Sequence, residues 1–216
     1  MKIEKRITVH SPLTLRSSFQ FPLQTERARM EVILGATWLL VFPFGWFMNM
    51  GHRIMMVHHM HHGKKIWPAW TNWRELLYHG WITFLGMVYY GSIGVGLFAY
   101  GWWISDCALH CWLGFSLWIL AVIAIPGYMS HYCRNFDKQE IFNPIKALSR
   151  VFQGGTAYWK AWSIALSAMF VSVLSLPLFG PLGFLLASVW FWQVAGFSFA
   201  TVFTQRFDLA EEVQEW

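Results

Sequence analysis

Sixteen lysines and arginines flank some of this chain's five apolar stretches and avoid others, a pattern that few folds allow. The stretches are Val32–Met50, Trp81–Trp103, Leu109–Pro126, Ala161–Phe179 and Gly180–Phe203. Each runs about 18–24 residues, enough to cross a hydrocarbon core about 30 Å thick. The chain therefore reads as an integral membrane protein, and its lipid bilayer is its first expected partner. Only 12% of its residues are charged, about half the fraction of an ordinary soluble domain. Fifteen tryptophans suit the membrane–water interface, where indoles concentrate. The net charge of +5 belongs to the flanks of membrane segments, so no nucleic-acid partner is expected.

The basic residues also orient the chain. Six precede the first stretch, and Arg53, Lys64, Lys65 and Arg74 follow it. None lies between the second and third, where Asp106 is the only charge. Arg134, Lys138, Lys146, Arg150 and Lys160 separate the third from the fourth, none separates the fourth from the fifth, and Arg206 follows the last. Cytoplasmic connections collect Lys and Arg, so stretches two to five read as two out-and-back hairpins with both termini cytoplasmic. The first stretch is basic on both sides, and Pro43 and Gly45 interrupt its centre. It reads as a re-entrant hairpin descending from Glu31 to about Phe42 and returning toward Arg53; the alternative is a Pro-kinked span with the N-terminus on the far side.

Local signals mark the connections. Leu176 to Pro181 holds two prolines and a glycine and reads as the tight turn of the last hairpin. Small residues along its limbs (Ala161, Ala165, Ala168, Gly183, Ala187, Ala195) favour close helix packing. Asn143-Pro144 is a helix start, and Gly154-Gly155 is a stop. Between them Ile145, Leu148, Val151 and Phe152 share a face suited to the headgroup region or to a partner. Residues 1–30 form a polar cytoplasmic segment without an apolar leader core, in which Ile7-Thr8-Val9 and Phe19–Leu23 read as short extended pieces. Residues 31–207 form the membrane domain, and 208–216 an acidic tail that reads as a brief helix. Cys107, Cys111 and Cys133 form no CxxC pair.

Five of the nine histidines fall within eleven residues: His52, His58, His59, His61 and His62. His58, His61 and His62 spell HxxHH, the spacing of membrane di-iron oxidases, but the many further ligands such a centre needs do not recur in a second box. His58 and His62, four apart on a helix, make a two-ligand site for a divalent metal, with His79 or His131 as a third candidate. The competing reading is an interfacial helix whose histidines gain charge as pH falls. His79 and His110 sit at membrane ends of the second and third stretches, on opposite sides, where each can singly ligate a chlorophyll-type pigment. No nucleophile, phosphate-loop or dinucleotide motif is present.

The run from Gly51 through Lys65, followed by Pro68, Trp70, Trp73, Arg74, Glu75 and Gly80, resembles the DUF4013 membrane proteins of bacteria and archaea. In that family an apolar stretch ending in glycine leads to a basic helix, a Pro-x-aromatic turn and a glycine opening the next span. The likeness covers roughly residues 31–207. This chain departs from it in carrying histidines where an Arg-rich helix is expected. The resemblance implies a polytopic membrane protein and carries over no catalytic residue.

The expected fold is thus all-α: four transmembrane helices in two hairpins plus a re-entrant N-terminal hairpin, in a bacterial-type inner or photosynthetic membrane. The expected function is a non-catalytic accessory or scaffold subunit of a larger photosynthetic or respiratory complex, with other membrane subunits as partners. The alternative is a metal-handling or small-solute transport protein built on the His58–His62 cluster.

Overall fold

A computed structural model describes residues 7–207, and among these every regular element is helical. The order is α1 (Leu15–Gln20), a 3-10 turn (Phe21–Leu23), α2 (Glu26–Leu39), α3 (Phe44–His61), α4 (Trp73–Trp103), α5 (Ala108–Asn135), α6 (Lys138–Phe142) and α7 (Pro144–Phe207). Three of them, α4, α5 and α7, are long and apolar enough to cross a membrane. The expected acidic helix at 208–216 lies outside the described residues.

Side-chain caps start the short helices where the sequence places Ser, Thr, Asp or Asn. Thr14 and Ser17 form a reciprocal capping box on α1, and Thr25 accepts from the Ala28 N–H at 3.1 Å to open α2. Phe19–Leu23 is therefore helical, contrary to the extended reading. Phe21 stacks on Phe197 with centroids 4.2 Å apart, so it serves as a core anchor. Burying it from a helical turn satisfies the backbone, which an isolated extended piece would leave unpaired.

The third spanning candidate is not a straight rod. Its backbone leaves helical geometry at Gly155 (φ 56°) and Gly180 (φ 70°), left-handed conformations that cost glycine little. Three limbs result: 144–154, 156–179 and 181–207. Residues about equally far from Gly180 meet side by side. Ser172 and Ser188 hydroxyls lie 3.3 Å apart, and Phe199 packs against Tyr158 and Trp162 with centroids at 5.4 and 5.6 Å. The last two limbs are therefore antiparallel, turning where the prolines and glycine stand.

Helix α5 runs past the expected end at Pro126 as far as Asn135. Proline lacks the N–H that would bond the Val122 carbonyl; beside it, the Tyr158 hydroxyl of α7 donates to the Ile123 carbonyl, so α7 packs against α5 at its proline. Phe136, in the left-handed region (φ 55°), ends it.

Helices α2 and α3 fold back on each other about Pro43, with the Asn49 amide donating to the Gly35 carbonyl at 3.0 Å. Helix α3 then packs antiparallel against α4 at two glycines. A Cβ at Gly51 would stand 1.7 Å from the Leu76 carbonyl oxygen, and one at Gly80 2.0 Å from that of Phe47. Only hydrogen fits where backbone meets backbone, which is how small residues tighten helix pairs in membranes.

Candidate functional site

Helix α3 ends in the histidine cluster, and its 3.6-residue turn splits the cluster between two faces. His58 and His62 share one face, with ring centroids 4.1 Å apart. The His58 Nδ1 lies 2.8 Å from the Cys133 carbonyl, the His62 Nδ1 2.9 Å from the His58 carbonyl, and the His59 Nδ1 2.7 Å from the Lys65 carbonyl. A carbonyl only accepts, so each Nδ1 carries a proton, and Nε2 is the nitrogen that holds the lone pair in the neutral ring.

His61 turns the other way. It is fully buried, and neither ring nitrogen has a hydrogen-bond partner. Burial pushes its pKa down to about 3, and the neighbouring His62, His131 and His58 push in the same direction. Burial also lowers His58 and His59. Burial therefore favours the neutral form of His58, His59 and His61.

Helix α5 brings His79 close. Its Nδ1 lies 2.9 Å from the Tyr132 hydroxyl, and its ring packs 4.1 Å from Phe136. The His58 ring packs on the same Phe136 at 4.4 Å, so a phenyl ring stands between the two imidazoles. The structure thus pairs His58 with His62, directs His61 into the core and screens His79 with Phe136. Among the described residues, no three His, Cys, Asp or Glu side chains converge at metal-binding geometry. His110 lies at the other end of α4 and α5, its Nδ1 3.0 Å from the Ser105 hydroxyl and its ring edge-on to Tyr100. His79 and His110 are therefore far apart, as the threading expects, and the His79 ring is covered by aromatic neighbours.

A second constellation was not singled out from the sequence. Glu31, near the start of α2, is fully buried. Its Oε2 accepts from Trp70 Nε1 at 2.6 Å and lies 3.3 Å from His52 Nε2. Arg27 Nε stands 2.7 Å from Oε1, one turn earlier, as an ion pair. The His52 ring stacks on the Trp70 indole at 4.1 Å and 9°. Burial works to raise the Glu31 pKa, but the hydrogen bonds from His52 and Trp70 and the nearby Arg27 outweigh it and hold the carboxyl below its usual range. This network ties α2, α3 and the segment before α4 together. The signal available beforehand was a lone acid at the mouth of an apolar stretch.

No family model matches the chain, and neither the curated proteins nor the solved structures show a significant similarity to it.

Proposed function

We propose that this chain is a four-span membrane protein, with the α2–α3 hairpin re-entering the bilayer, that acts as a non-catalytic accessory or scaffold subunit. The observation that carries this reading is the aromatic surface along α4 and α5. Phe98 stacks on Trp102 at 6.3 Å and 7°, and Phe115 packs against both Trp112 and Trp118 at 6.4 and 6.3 Å. These rings are exposed yet already ordered by their i,i+3 and i,i+4 neighbours. Pre-ordered aromatic faces at membrane depth suit contact with other helices or with flat pigments, at little entropic cost. The antiparallel last limbs of α7 support counting it as two spans. The re-entrant reading is supported by an apolar apex that packing leaves open: Leu40, Val41 and Phe42 are 63, 56 and 76% exposed. Membership of the DUF4013 family is part of the same proposal, and relatives aligning Pro68, Trp70, Trp73 and Gly80 in register would support it.

Purification of the tagged protein from its native membrane in mild detergent, with component identification and an optical spectrum, tests the reading. Co-purification in fixed ratio with other membrane subunits supports it; a colourless, solitary protein overturns it. A second reading, a divalent-metal protein, is favoured by the adjacent His58 and His62 rings, whose Nδ1 atoms are held by backbone carbonyls as in many metal-ligating histidines. Its mark would be bound metal that disappears in the His58→Ala/His62→Ala double variant.

A further inference from the structure

A cleft of about 240 Å³ lies between the α2–α3 hairpin, α4 and the last limb of α7. Its lining changes character along its length. Leu39, Trp46, Phe184 and Leu185 line one end, and His52, Arg53, Trp192 and Gln193 the other. The two walls run parallel: Val189 stands beside Gly35, while Arg53 stands beside Gly196 and over Trp192. The polar ends of both walls therefore coincide, as do the apolar ends.

Among the described residues Arg53 has no counter-charge. Its guanidinium lies 4.4 Å from the Trp192 ring centroid, and among the described residues no carboxylate comes within ion-pair distance of it. Stacking covers one face of a guanidinium and leaves its in-plane N–H donors for an oxyanion. Gln193, only 4% exposed, keeps its Oε1 without a hydrogen-bond partner. An unmatched cation, an unmatched buried acceptor and an apolar exit describe a ligand with an oxyanion, a donor hydroxyl and a hydrocarbon tail. The cleft is smaller than the roughly 300–1,000 Å³ that encloses a whole small molecule, so it takes one end of the ligand and lets the remainder leave along the apolar end lined by Leu39, Phe184 and Leu185.

We propose that this cleft binds an anionic glycerophospholipid with a hydroxylated head group, of the phosphatidylglycerol type, its phosphate on Arg53 and a head-group hydroxyl on Gln193. The site needs only that the chain sits in a membrane, so it stands whether or not the protein has subunit partners.

Native mass spectrometry of the detergent-purified full chain, incubated with phosphatidylglycerol or phosphatidylcholine, tests it. Wild type should retain one phosphatidylglycerol more tightly than any phosphatidylcholine. Arg53→Gln should weaken that retention about tenfold or more, the scale of a lost charge-assisted contact, and Gln193→Leu should reduce the preference for the hydroxylated head. Arg53→Lys, which keeps the charge but not the fork, should fall between, and it keeps the test meaningful if Arg53→Gln unfolds. Lys64→Gln, at an exposed base, should match wild type. Equal retention by Arg53→Lys, Gln193→Leu and wild type would overturn the site. So would displacement of the lipid by glycerol phosphate at matched concentration, which would assign the cleft to a soluble phosphate ester.

Discussion

Removing the Glu31 carboxylate tests whether one buried ion holds the hairpin to the body of the protein. Glu31→Ala would leave the Trp70 N–H, the His52 edge and Arg27 facing a cavity, where they now lie 2.6, 3.3 and 2.7 Å from its oxygens. Breaking a buried charged contact from one side costs about 3–5 kcal/mol. For a chain of this size each kcal/mol moves the melting point by about 2–4 °C, so the apparent midpoint should fall by about 10 °C. Glu31→Gln keeps the volume and one acceptor, and should cost about 1–2 kcal/mol. Trp70→Phe removes the same hydrogen bond from the other side, so the Glu31→Gln/Trp70→Phe pair should lose less than the sum of the singles. Thermal unfolding in detergent, followed by tryptophan fluorescence, reads each variant. The sign with pH follows from the depressed carboxyl. The contribution is fully present above the unfolded carboxyl range, near 4.5, and is lost as pH falls through the lower folded value. Glu31→Gln should lack that acid loss. A Glu31→Ala midpoint within about 2 °C of wild type, or strictly additive singles, would refute the network's role.

Further outcomes follow from other parts of the structure. His61 has a folded pKa near 3 against an unfolded value near 6.5, so lowering pH from 7 to 5 should destabilise the protein by roughly 2 kcal/mol, because the unfolded chain takes up the proton first. His61→Leu should flatten that dependence without lowering the neutral-pH midpoint, which parallel melts at pH 7 and 5 would show. Gly51→Ala and Gly80→Ala each drive a methyl into a backbone carbonyl and should lower the midpoint by several degrees, whereas Gly96→Ala, with nothing within 4 Å of the added carbon, should leave it within a degree or two. On the four-span topology, an impermeant maleimide applied from outside should label Cys107, at the start of α5, but not a cysteine placed at Lys64; reversed labelling would overturn the threading.

The connections were legible in the sequence where their cause is local. Asn143 accepts from the N–H groups of Ile145 and Lys146 at 3.1 Å each, as its place before a proline predicts. Gly155 and Gly180 turn the chain where glycine stands at a break in the pattern. Causes that act across long stretches of sequence were not legible. The third apolar stretch closes at Pro126 while α5 continues to Asn135, and the Tyr158 hydroxyl that meets α5 there comes from thirty-five residues beyond Ile123. The Glu31–Trp70 bond spans thirty-nine residues, and no periodicity announces it. The histidines were visible as a cluster and their spacing divides them between faces, but which face is buried depends on α3's rotation against α5 and α7. That rotation is set by packing, not by the spacing of the histidines themselves.

The first limb of α7 carries one more consequence. Glu140 on α6 receives both cations of that limb, Lys146 at 3.1 Å and Arg150 at 3.3 Å, while Ile145 and Phe152 remain 82 and 81% exposed. A basic helix left to itself would roll its charges toward anionic headgroups. Here a single carboxylate acts as a rotational key, gathering both charges on one side of the limb and leaving Ile145 and Phe152 to face outward.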